Sequence, residues 1–112
     1  MKAIERAKAH FDAQEIKVTK VPEWGDDEGN PLLIYSKPLT LAEMSKLQRY
    51  AREDDVALMA YCLIHRSLDS EGEKLFTLDD KHTLMNSVDR DVLQRVAAEL
   101  MSSSSYEDEL KK

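Results

Sequence analysis

The longest uncharged apolar run in the chain covers residues 56–64, VALMAYCLI. Crossing a bilayer takes about 20 apolar residues, so a run this short does not span one. It is also too uniformly apolar for a helix with one wet face. Asp54 or Asp55 stands ready to cap it. The run predicts a central helix covered from several sides, and the rest of the chain has to supply the cover.

With 112 residues, the chain has the length of one domain. Cover on the C-terminal side comes from two pieces. Thr77 caps a short helix with Asp79 and Asp80 in its first turn, Leu78 and Met85 as its apolar contacts, and Asn86-Ser87 as its break. A last helix over 88–101 puts Val92, Leu93, Val96, Ala97 and Leu100 on one side, opposite Arg90, Arg95 and Glu99. Between these helices and the central one, Asp69-Ser70-Glu71-Gly72 is turn chemistry, and Leu75-Phe76 returns to the core. Ser102 onward is serine-rich and then charged, and reads as a flexible tail over 102–112 beyond a single domain over 1–101.

On the N-terminal side the period changes. Residues 2–13 are good helix formers with a thin stripe of Ile4, Ala7 and Phe11, a helix that packs weakly or docks only on a partner. Ile16 and Val18 alternate with Lys17 and Thr19, the pattern of a half-buried strand, and Pro22 makes that strand an edge or ends it. Residues 25–31 form a polar turn cluster, and Leu32 to Ser36 is the return strand. A lone hairpin is marginal in water, so helix must cover one face. Thr40 and Glu43 then have capping-box spacing, with Leu39 and Met44 placed as a hydrophobic staple. The expected buried face of this helix is Leu41, Met44, Leu47 and Ala51, with Lys46, Arg49 and Arg52 outside. The fold class is α+β, mainly α: an N-terminal β-hairpin packed on a small bundle of about four to five helices.

Net charge is −6 and unevenly spread. Residues 1–52 carry 9 basic and 8 acidic side chains, and residues 53–112 carry 7 and 14. The acidic half repels phosphate, which argues against nucleic-acid binding. Cys62 is the only cysteine, so no internal disulfide forms, compatible with a reducing cytoplasm. The N-terminal segment MKAIERAKAHFDA is charged throughout and lacks the apolar core of a signal peptide. The expectation is a soluble, non-secreted chain with no membrane partner.

No catalytic group assembles from the sequence. Asp69-x-Glu71 and Asp26-x-Glu28-Gly29-Asn30 invite a calcium-loop reading, but neither has glycine sixth with a bidentate carboxylate twelfth, and both read as polar turns. Cys62 and His65 share a helix face but lack further ligands for zinc. There is no nucleophile elbow or phosphate loop. No enzyme, metal or cofactor is expected. Candidate contact surfaces are the first helix, the hairpin edge and the outer part of the last helix. Their residues are Ile4, Phe11, Trp24, Val92, Val96 and Leu100. For Trp24 and the last helix the core role comes first, and only excess apolar width there or on the first helix is partner surface.

The ordered set VPEWG, an acidic turn, a second strand, KPLTLAEMSKLQRYA, ALMAYCLIHRSL, DSEGEKLFTLDD and VDRDVLQRVAAELM, over about residues 15–101, resembles the tail assembly chaperones of long-tailed bacteriophages and their prophages. One departure is the loop over 25–31, longer than the tight turn the resemblance leads one to expect. The resemblance implies a non-catalytic protein of the bacterial host cytoplasm, absent from the mature virion. It would bind the tape measure protein and help recruit tail tube protein, and a long client that needs many copies makes self-association an expectation as well. It also implies a longer form made by programmed frameshifting, for which the serine tail is a suitable junction. One alternative is a minor structural tail or connector protein retained in the virion. Another is a small regulatory helical protein, whose basic face would be Lys46, Arg49 and Arg52.

Overall fold

Helix starts and stops along the chain follow local chemistry. The computed structural model describes residues 2–52 and 54–102, and the expected tail over 103–112 lies outside them. The order is helix α1 (Ala3–Ala13), strand β1 (Lys17–Val21), a 3₁₀ turn (Pro22–Trp24), strand β2 (Leu32–Ser36), and helices α2 (Leu41–Ala51) and α3 (Asp55–Arg66). A second 3₁₀ turn (Leu78–Asp80) leads into α4 (Lys81–Asn86) and α5 (Arg90–Met101). The described residues are 58% helix and 12% strand, an α+β fold that is mainly α.

The caps predicted at Thr40 and Asp54 form. The Thr40 hydroxyl accepts from the Glu43 amide at 3.1 Å, and Glu43 accepts from the Thr40 amide at 3.1 Å, satisfying orphan donors of α2. Asp54 accepts from the amides of Val56 and Ala57 at 3.0 and 3.1 Å. The last helix begins at Arg90, because Asp89 is its N-cap and accepts from the Val92 amide.

The central helix is α3, with Ala57, Ala60, Cys62, Leu63 and Ile64 buried. It packs against α2, α4 and α5, and its only large exposed apolar side chain is Val56 in the first turn. Leu47 and Ala51 of α2, Leu84 of α4, and Leu93, Val96, Ala97 and Leu100 of α5 complete the core with Val21 and Ile34 of the hairpin. Leu75 and Phe76 pack against it as expected, and Trp24 meets Phe76 edge to face at 6.3 Å.

Three inward faces differ from the sequence pattern. Leu41 is 90% exposed: at 100° per residue it lies about 90° from the centre of the arc shared by Met44, Leu47 and Ala51. On the short helix, Leu84 is the buried contact, whereas Leu78 and Met85 are exposed. The 3₁₀ turn at Leu78–Asp80 shifts the helical phase, which turns Leu78 outward. The third difference is in β1. Thr19 and Val21 point inward, and Ile16 and Val18 point outward.

Candidate docking surface

The hairpin register defines the surface. β1 and β2 pair antiparallel, with Lys17 opposite Ser36, Val18 opposite Tyr35, Thr19 opposite Ile34, Lys20 opposite Leu33 and Val21 opposite Leu32. Opposite residues share a face. The inner face carries Val21, Ile34 and the buried Ser36, against the helices. The outer face carries Val18, Lys20, Leu33 and Tyr35. It is apolar too, with Val18 46% and Leu33 38% exposed. A hairpin with two apolar faces has helix on one of them.

The sheet continues past β2 by single bridges. Tyr35 and Leu68 exchange backbone hydrogen bonds of 2.8 and 2.9 Å, and Leu68 is bridged in turn to Lys74. Val18, Tyr35, Leu68 and Lys74 therefore form one transverse row on the outer face. Because Tyr35 spends its amide and carbonyl on Leu68, its partner Val18 turns its own backbone groups away from β2. Among the described residues no strand pairs with that side of β1. It is an open edge.

Lys17 fixes which face is which. Its side chain points inward and its ammonium donates to the carbonyls of Glu99 and Ser102 and to the Ser102 hydroxyl. These carbonyls belong to the C-terminal end of α5, where a cation is favoured. Burial lowers the Lys17 pKa, and the Glu99 carboxylate opposes that shift.

Where the hairpin opens, Ile16 and Lys37 continue the outer face beyond the Lys17–Ser36 pair. Both line a shallow groove of about 550 Å³ together with Phe11, Gln14, Pro38 and Thr40. One wall is the end of α1, a helix that buries no side chain. Ile4 on α1 is 73% exposed. An isolated helix of fewer than about 12 residues is marginal in water, so α1 has a surface to give.

The opposite wall of the groove is held from behind. Arg66, at the end of α3, donates to Glu43 at 3.0 Å, to the Lys37 carbonyl at 2.9 Å and to the Pro38 carbonyl at 3.0 Å. Partial burial pushes the Glu43 carboxyl upward, but the Thr40 amide and the Arg66 charge together hold it below its ordinary value. Elsewhere, Arg95 of α5 grips Glu23 through two hydrogen bonds of 2.9 and 2.6 Å, which holds the Glu23 pKa down at about 2. No family model, curated protein or solved structure matches the chain.

The six candidate contact residues divide. Ile4 is open and Phe11 lines the groove. Trp24 and Val92 are partly buried against the core. Val96 and Leu100 are inside it, at 0% and 2% exposure. The last two are core residues and not open contact surface, because α5 packs them inward against α3 and β1. Among the described residues no group of three or more His, Cys, Asp or Glu side chains is placed to hold a metal. Cys62 lies against the Ala97 carbonyl, and burial pushes its thiol up to about 12. His65 stacks instead on Tyr50, with ring centroids 4.7 Å apart.

The outer-face residues Val18, Leu33, Tyr35 and Lys20 did not stand out in the sequence as a site. A signal was present: Leu32 to Tyr35 is apolar at every position, so neither face of that strand is polar.

Proposed function

We propose that this chain is a tail assembly chaperone of a long-tailed bacteriophage or prophage, acting in the host cytoplasm without catalysis and absent from the mature virion. Its client is the tape measure protein, whose apolar helical surfaces it keeps soluble while tail tube protein is recruited. Copies of the chain associate along that long client.

The observation that carries this reading is the apolar outer face of the hairpin, exposed at Val18 and Leu33 and half-buried at Tyr35, with Ile16 leading to the groove beside α1, a helix that buries no side chain. A holdase needs apolar surface outside its own core, with enough net charge to stay in solution. The ordered motifs over about residues 15–101 agree with the same class. Docking would follow the helix-in-groove mode, with apolar anchors at helical spacing on the client.

The test is co-expression of the tape measure protein from the same phage or prophage genome with and without this chain. The chaperone reading expects the soluble fraction of tape measure protein to rise severalfold, and Val18→Asp with Leu33→Asp to remove the gain. Stoichiometric retention of the chain in purified virions, measured by mass spectrometry, would overturn it.

A further inference from the structure

We infer that the outer hairpin face recognises an acidic amphipathic helix, with lysines at its margins selecting the charge. This rests on the chaperone reading and specifies the client segment. The register alone places the groups. The row Val18–Tyr35–Leu68 crosses three strand positions and ends in Lys74. One row away along the strands is Lys20 opposite Leu33, and on the other side Ile16 and Lys37 both line the groove. Cations thus stand at three margins of one apolar centre.

Strand spacing makes the apolar row about 10 Å across, the diameter of one helix with its side chains. Among the described residues no carboxylate is within ion-pair distance of Lys20, Lys37 or Lys74. The acids at the groove end are already engaged, Asp12 with Lys8 at 2.7 Å and Glu43 with Arg66 at 3.0 Å. On a chain of net charge −6, three unpaired lysines around exposed aliphatic side chains are the complement of an apolar stripe flanked by glutamate or aspartate. Rim charges of this kind govern encounter rate, salt dependence and partner choice more than total affinity.

The probe is a fluorescein-labelled amphipathic peptide with leucine on one helical face and glutamate on the other, compared with a twin carrying lysine for glutamate. Binding is read by fluorescence anisotropy with the full chain at low and high salt. The acidic peptide is expected to bind about tenfold tighter than its twin at low salt, given three modest charge pairs, and the margin to shrink as salt screens them. The triple variant Lys20→Glu, Lys37→Glu, Lys74→Glu, all at exposed positions, is expected to invert the preference. Val18→Asp weakens both peptides.

Equal affinity for the two peptides, or an unchanged preference in the triple variant, overturns the inference. Three other results would also overturn it by naming another occupant. They are co-sedimentation with anionic vesicles in place of peptide binding, dissociation of a dimer by Val18→Asp, and peptide binding by a chain ending at Ser102 but not by the full chain. If the triple variant solubilises the tape measure protein as well as the parent does, this inference falls and the chaperone reading stands. If the parent fails to solubilise it yet discriminates the peptides, the reverse holds.

Discussion

Arg66→Met is the perturbation that best tests how the groove wall is built. The substitution keeps the aliphatic stem and removes three hydrogen bonds, to Glu43 and to the carbonyls of Lys37 and Pro38. The Arg66 side chain is only 11% exposed, whereas Glu43 is 43% exposed. Hydrogen bonds to a charged group contribute about 1.5–3 kcal/mol each when the partners have nowhere else to turn. Here Glu43 and the exposed Lys37 carbonyl regain water, so the Pro38 contact, which is part-buried, carries most of the loss. The Arg66 Nε is buried without a partner, and removing it returns part of the cost. The balance is a loss of about 2 kcal/mol, or roughly 8 °C in midpoint for a domain of this size. Thermal and urea unfolding followed by circular dichroism measure it. A cycle with Glu43→Gln should give a coupling below about 1 kcal/mol, since that pair is half solvated. A change in Arg66→Met under about 0.5 kcal/mol, the range of ordinary surface substitutions, would refute the reasoning.

The strand phase is tested by a pair of variants: Ile34→Ala should cost about 3 kcal/mol, whereas Val18→Ala should stay within about 0.5 kcal/mol, and equal costs in urea unfolding would reverse the phase. Cys62, buried with its thiol raised to about 12, should react with a disulfide reagent only on unfolding, and rapid labelling of the native chain would remove it from the core. Burial, and then the Lys74 charge, lower the His65 pKa below 6.5, so the unfolded chain binds the extra proton first. Stability should therefore fall as pH drops from about 7 toward 5, and His65→Phe should flatten that slope; a slope unchanged by the substitution would assign it elsewhere. Removing residues 2–13 should leave the urea midpoint nearly unchanged, because α1 buries no side chain, while lowering the yield of soluble tape measure protein; a loss above about 1.5 kcal/mol would make α1 part of the fold.

Caps and turns were the most legible part of the chain, because their chemistry is local. Thr40 with Glu43, Asp54, Pro22 and the Asp26 and Asp69 turns all act within four residues of themselves. The apolar run over 56–64 was equally plain as a central helix, though its first residue, Val56, is exposed. Strand phase was not legible. The segment from Ile16 to Val21 offers two apolar sets, Ile16 with Val18 on one face and Val21 alone on the other, and counting favours the wrong one. Tertiary packing decides for Val21, which together with Ile34 is wholly buried. Leu78 misled for a related reason, since a 3₁₀ turn does not keep the helical period. The aromatic stack of Tyr50, Tyr61 and His65 joins α2 to α3, and no local pattern announces contacts between elements.

The exposed outer face follows from the polar residues that point the other way. A slip of one residue in β1 would exchange its faces, burying Ile16 and Val18 and exposing Val21. It would also withdraw the Lys17 ammonium from the end of α5, leaving the Glu99 and Ser102 carbonyls without that donor. Thr19, inward and with its hydroxyl unpaired, is tolerated for the same register. The fold therefore leaves two β-branched side chains in water to keep a lysine on a helix terminus. In a free-standing domain that exchange leaves Ile16 and Val18 uncovered in return for the burial of Val21 and the Lys17 contacts. In a protein whose hairpin is covered by a partner, the same Ile16 and Val18 are buried on binding, and the register that weakens the isolated chain strengthens the complex.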